Sequence, residues 1–98
     1  MRETIERLTD LGKVYEGGIL LGEYTYYIVV IQRMSTFRGE QIPRLKSLKG
    51  RIYMNLDEIH RLISRKQKQL TLYLEDGRKL DFSFATNYGT ISAKSNFY

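Results

Sequence analysis

The chain reads as an α+β domain: an antiparallel sheet of five or six strands, able to close into a small barrel, with one main helix between strands and a short helix at the N-terminus. Three observations give this class. Strand-forming segments rich in Tyr, Thr, Ile and Val are joined by short glycine turns. One amphipathic segment, 55–65, carries an N-cap signal. A length of 98 residues with one proline and no Ser/Gly-rich linker leaves room for a single domain, 1–98.

Glu3 to Leu11 fits a short helix. Ile5 and Leu8 share a face, Glu3 and Arg7 form an i,i+4 pair, and Gly12 is a plausible stop. Lys13 to Leu21 reads as a strand bent or bulged at Gly17-Gly18, after which Gly22-Glu23 turns the chain into a second strand, Tyr24 to Arg33. That second strand is apolar on both faces, which predicts a central position covered on both sides. Met34 to Gly50 is expected to be a long connection, with Pro43 starting a helical turn that ends at Gly50. Arg51 to Met54 is a short strand.

Asn55 opens the clearest helix. Glu58 stands in the capping-box position, and Leu56, Ile59, Leu62 and Ile63 form one apolar face. Gln69 to Ala85 is a hairpin whose register follows from side-chain parity. A two-residue Asp76-Gly77 turn would set Leu74 opposite Lys79 and mix the faces. A three-residue Glu75-Asp76-Gly77 loop pairs Leu72 with Leu80 and Leu70 with Phe82, keeping the apolar residues together, with Gly77 left-handed in a bulge. Asn87 and Gly89 mark a further turn before a last strand, Thr90 to Lys94. Element order alone is compatible with a barrel of the OB type, an architecture used to bind oligonucleotides.

Much chemistry is excluded by composition. Cysteine is absent, which rules out disulfides, thiolate zinc sites and thiol nucleophiles. His60 is the single histidine and stands beside the apolar face of the helix, where a structural or solvated role is expected rather than general-base work. Gly12-Lys13 lacks the upstream glycine of a phosphate loop, and Gly17-Gly18 lacks a dinucleotide fingerprint, so no cofactor is expected. Glu75, Asp76 and Asp81 are explained as turn and outward strand residues, not as metal ligands. The expectation is a protein without enzymatic activity. No apolar run approaches a membrane span and no signal peptide is visible, so the expected location is cytoplasmic, with no membrane partner.

Charge gives the positive lead. Net charge is +5, and it is concentrated: from Arg33 to Lys68 there are ten basic residues against three acidic, or +7. Aromatic residues lie among them, as in proteins that hold phosphates with cations and unpaired bases on aromatic faces. The expected function is nucleic-acid binding through this segment. Candidate contact residues are Arg38, Arg44, Lys46, Lys49, Arg51, Arg65, Lys66 and Lys68, with Tyr73 as an outward aromatic of the hairpin. Arg65, Lys66 and Lys68 have a second account, since cations favour a helix C-terminus, and Arg61 can pair with Asp57 four residues earlier. The alternative reading is a protein-interaction module or small accessory subunit. It would bind through an acidic partner surface, or form a homo-oligomer through an unpaired sheet edge.

Overall fold

Two three-stranded meanders, linked by one helix, build the molecule. The computed structural model describes the backbone of residues 2–64 and 69–98, and their side chains except at 2–3, 33–35, 37 and 41–46. In chain order the elements are β1 (Arg2–Glu16), β2 (Ile19–Phe37), β3 (Glu40–Tyr53), α1 (Leu56–Ser64), β4 (Leu70–Tyr73), β5 (Lys79–Phe84) and β6 (Thr90–Ala93). The strands close into an antiparallel barrel in the order β1-β2-β3-β6-β5-β4, with β4 returning to β1. This is an α+β antiparallel barrel of six strands, one more than the five of an OB fold.

The N-terminal helix is not formed. Residues 2–16 are strand, hydrogen-bonded to β2 from Arg2↔Arg33 to Glu16↔Ile19. The three-residue spacing of Ile5, Leu8 and Leu11 looks helical, but the strand has an irregularity between Thr4 and Glu6 that puts Ile5 out of the alternation, and Leu11 is exposed. Pairing with a strong β-forming neighbour overrides a weak local helix preference. Gly17-Gly18 is not a bend within a strand. It is the two-residue turn of the β1–β2 hairpin, both glycines at positive φ as tight hairpin turns require. Gly22-Glu23 is no turn: β2 continues through it, with a register irregularity at Leu21 where Val14 faces Gly22 and Tyr15 faces Leu20.

The expected 34–50 connection is also a hairpin. β2 continues to Phe37, the chain reverses at Arg38-Gly39, and β3 begins at Glu40. Pro43 does not start a helix; it lies in β3 opposite Met34, next to a register shift. Proline is tolerated there because this part of β3 pairs with β2 on one side only.

Strand length explains the shape. β4 pairs only with Lys13–Glu16 of β1, and β6 only with Lys49–Arg51 of β3. The rest of β1, β2 and β3 leaves the barrel as a three-stranded arm, giving overall dimensions of 49 × 27 × 19 Å. Arg78 ties arm to barrel. Its guanidinium donates to both carboxylate oxygens of Glu6 at 3.2 Å and to Asp76, and lies 4.6 Å from the centre of the Phe97 ring.

Inside the barrel the inward residues of each strand meet: Val14, Ile28, Ile52, Leu70, Leu72, Leu80, Phe82 and Ile91 are all buried. Helix α1 closes one end with Ile59 and Leu62, while Ile63 is half-buried. Leu56, expected on this face, is instead 54% exposed, because it precedes the turn that docks. Asn55 caps the helix as expected, its side-chain oxygen accepting from the Asp57 amide at 2.8 Å. Glu58 does not reach back to complete a capping box: it accepts the Tyr24 hydroxyl at 2.9 Å and so anchors the helix to β2. His60 is exposed, and Arg61 forms no ion pair with Asp57 among the described residues.

The β4–β5 hairpin has the register that parity predicts. Leu70 faces Phe82 and Leu72 faces Leu80; the Leu74 amide donates to the Arg78 carbonyl at 2.8 Å, and Gly77 has φ 92°. A side chain at Gly77 would meet nothing within 4 Å, so only backbone strain opposes it. Gly77→Val is therefore expected to cost ~1–2 kcal/mol, read from the urea midpoint.

Candidate nucleic-acid interface

The outer surface of β1, β2 and β3 brings cations and tyrosines together. Residues directly opposite in neighbouring strands share a face, with Cα atoms about 4.5–5.5 Å apart. One cross-strand row reads Arg7, Val29, Lys49, Ser92. The next reads Thr9, Tyr27, Arg51, Thr90, and the one after that Leu11, Thr25, Tyr53. These three rows contain no carboxylate. The inward alternates of the same strands, Tyr26, Ile28 and Ile52, fill the core, which fixes Tyr27, Val29, Lys49, Arg51 and Tyr53 to the outside.

Exposure follows from the topology. β2 is central in the sheet, as its composition predicts, but its outer face is not covered by any described element: Tyr27 is 38% exposed and Tyr53 56%. Arg7, Lys49 and Arg51 are exposed and form no ion pair among the described residues. Lys49 and Arg51 stand two residues apart on one strand, about 7 Å along it, and Arg7 lies two strands over, about 10 Å away. The result is a shallow plate with three cations around two tyrosine rings and one valine.

The sequence-derived candidates divide around the barrel. Lys49 and Arg51 sit in this plate. Arg38 is at the tip of the β2–β3 hairpin, at φ 52°, away from the barrel. Arg44 and Lys46 belong to the backbone of β3 in the arm, but their side chains lie outside the described residues, as do Arg65, Lys66 and Lys68 entirely. Tyr73 lies outside the three rows, on β4 next to β1, where it stands opposite Lys13. Its ring already packs at 4.7 Å against Tyr15, and the Lys79 ammonium lies 4.9 Å from its centre. That side also holds a carboxylate: Asp81 accepts the Tyr98 hydroxyl at 2.6 Å and the Thr71 hydroxyl at 2.9 Å, and the Tyr98 bond foremost keeps its carboxyl below the usual range. It is less suited to an anion than the β1–β3 plate.

Arg7 and Tyr27 were not legible as site residues. Local spacing places Arg7 on a helix, and the composition of its strand predicts that Tyr27 is covered on both faces. The signal that could have found them is the alternation Arg7, Thr9, Leu11 against buried Val14 and Gly12, visible once residues 2–16 are read as strand. No described helix is long and apolar enough to cross a membrane. Compared with known proteins, the chain matches no family model, no curated relative and no solved structure.

Proposed function

We propose that the outer face of β1–β3 binds single-stranded nucleic acid, without sequence-specific readout and without catalysis. The observation that carries this is the set of three carboxylate-free rows in which Arg7, Lys49 and Arg51 surround the exposed rings of Tyr27 and Tyr53. Phosphates are attracted by the cations, and unpaired bases stack on the rings; both interactions tolerate any sequence. A duplex keeps its bases stacked on one another and offers the tyrosines nothing, so single strands are favoured.

Alanine at each tyrosine tests the reading. Tyr53→Ala and Tyr27→Ala are each expected to weaken binding of a fluorescent oligodeoxythymidine by ~1–3 kcal/mol. Tyr73→Ala, on β4 outside the three rows and with the ring already packed against Tyr15, is expected to leave binding unchanged. Loss of binding at Tyr73 with none at Tyr53 and Tyr27 would move the site to β4 and refute this assignment.

A further inference from the structure

We propose that the sugar–phosphate backbone of the bound strand follows the seam between β3 and β6, with Lys94 as a phosphate contact beyond the β1–β3 plate. The inference rests on the nucleic-acid reading of that plate. On β6, Ile91 is buried opposite Gly50, so its neighbours Thr90 and Ser92 lie on the outer face, opposite Arg51 and Lys49. Lys94 continues the alternation. Its amide donates to the Asp81 carbonyl at 2.7 Å, which extends the register of the Phe82↔Ala93 pair by one residue. Asp81 is outward because Leu80 and Phe82 on either side of it are buried, and Lys94 shares its face. Across the seam, the Lys49↔Ser92 register places Ser47 opposite Lys94. Three successive rows therefore each join one cation to one hydroxyl: Arg51 with Thr90, Lys49 with Ser92, and Lys94 with Ser47. The rows are about 7 Å apart along the strands.

A groove of about 710 Å³ lies over this seam, lined by Ser47, Lys49, Thr90, Ser92 and Lys94 and by no carboxylate among the described residues. Lys49 and Lys94 are exposed, and neither forms an ion pair among the described residues. The Asp81 carboxylate, on β5 beside Lys94, accepts the Tyr98 hydroxyl and that of Thr71 on β4, the strand on the side of β5 away from β6. Ser47 has a buried hydroxyl oxygen with no hydrogen-bond partner among the described residues, a group that a ligand in the groove can complete. A positively charged groove beside aromatic rings is what a single strand needs: the groove tracks its backbone and the rings take its bases. Phosphates of a stacked strand stand ~3.4 Å apart along its axis and spread further when the bases are splayed. A strand with its bases drawn onto Tyr27 and Tyr53 can therefore set successive phosphates on successive rows. Tyr27 shares a row with Arg51, and Tyr53 stands in the row before it. The bases then lie on the β2 side of the seam, and Lys94 holds the phosphate furthest from Tyr53.

Anisotropy titrations of a fluorescent oligodeoxythymidine at several salt concentrations read the contact. Lys94→Gln is expected to lower the salt slope by about 0.7, the share of one phosphate on a single strand, and to weaken binding about three- to tenfold at low salt. Thermal stability should not change, since the side chain is exposed. Lys13→Gln removes the same charge from an exposed lysine beside β4, outside the seam, and is expected to leave the slope unchanged. On an abasic strand of the same length the Lys94→Gln loss should persist while the Tyr53→Ala loss disappears, because one contact is to phosphate and the other to a base. Inorganic phosphate should compete no better than chloride at equal ionic strength. The backbone track is overturned if the unmodified protein binds and Lys94→Gln keeps its slope, if Lys13→Gln flattens the slope equally, or if Lys94→Gln has no effect on the abasic strand. Phosphate competing well above chloride would make the groove a site for the free anion and overturn the track as well. Absence of any binding by the unmodified protein is a different result: it removes the nucleic-acid reading, and the track with it.

Discussion

Phe82→Ala is expected to destabilise the domain by ~3–5 kcal/mol, the largest loss of any single truncation in the barrel. Phe82 is 2% exposed and stands opposite Leu70 on one side and Ala93 on the other. Its ring meets that of Phe84 edge-on, 5.4 Å between centroids and 87° between planes. Truncation removes the transfer free energy of the ring and leaves a cavity walled by strands that are held in register from both sides and cannot close on it. A domain of this size has a total stability of roughly 5–15 kcal/mol, so the variant would lose about a fifth of it or more. Urea unfolding should show a lower midpoint with an unchanged slope. A loss below about 1.5 kcal/mol would show that Phe82 does not occupy the barrel interior.

The second large effect is expected at Gly89. This residue has φ 98°, and a Cβ there would stand 2.4 Å from the Ile52 carbonyl oxygen, a backbone atom that cannot swing aside. Its own carbonyl accepts the Ile52 amide at 2.9 Å, which fastens the entry of β6 to the end of β3. Valine at 89 therefore combines a left-handed conformation, ~1–2 kcal/mol for a side-chain-bearing residue, with overpacking against a fixed carbonyl, ~1–3 kcal/mol. The sum, roughly 2–5 kcal/mol, should exceed the loss at Gly77, where the same substitution meets open space. Equal losses at the two positions, compared by urea midpoint, would contradict the close approach of β3 and β6.

The β4–β5 register followed from parity alone, because a one-residue slip would have sent Leu70, Leu72, Leu80 and Phe82 to opposite faces. Helix α1 was legible from Asn55 and the spacing of Ile59, Leu62 and Ile63. The arm was not. Residues 2–12 and 40–48 pair on one side only, and among their described side chains just Leu8 and Leu48 pack against the core, which leaves little hydrophobic alternation to read. Pro43 and the Ile5/Leu8/Leu11 spacing then gave local signals for turn and helix that long-range pairing overrode. The site suffered the same way. Lys49 and Arg51 are legible from charge alone, but their association with Arg7 and Tyr27 depends on a β1–β2–β3 register that no local signal specifies.

The central claim is an electrostatic plate bearing exposed rings, and salt dependence tests it most directly. Fluorescence-anisotropy titrations of the unmodified protein with a single-stranded and a duplex oligonucleotide, at several salt concentrations, should show binding at low salt that is tighter for the single strand. The logarithm of the association constant should fall linearly with the logarithm of salt concentration. In the Lys49→Gln/Arg51→Gln variant the slope should be smaller by about 1.4, from about 0.7 for each phosphate contact on a single strand, with unchanged thermal stability because exposed charges contribute little to it. Absence of binding by the unmodified protein at low salt, or an identical slope in the double variant, would contradict the assignment of nucleic-acid binding to this face.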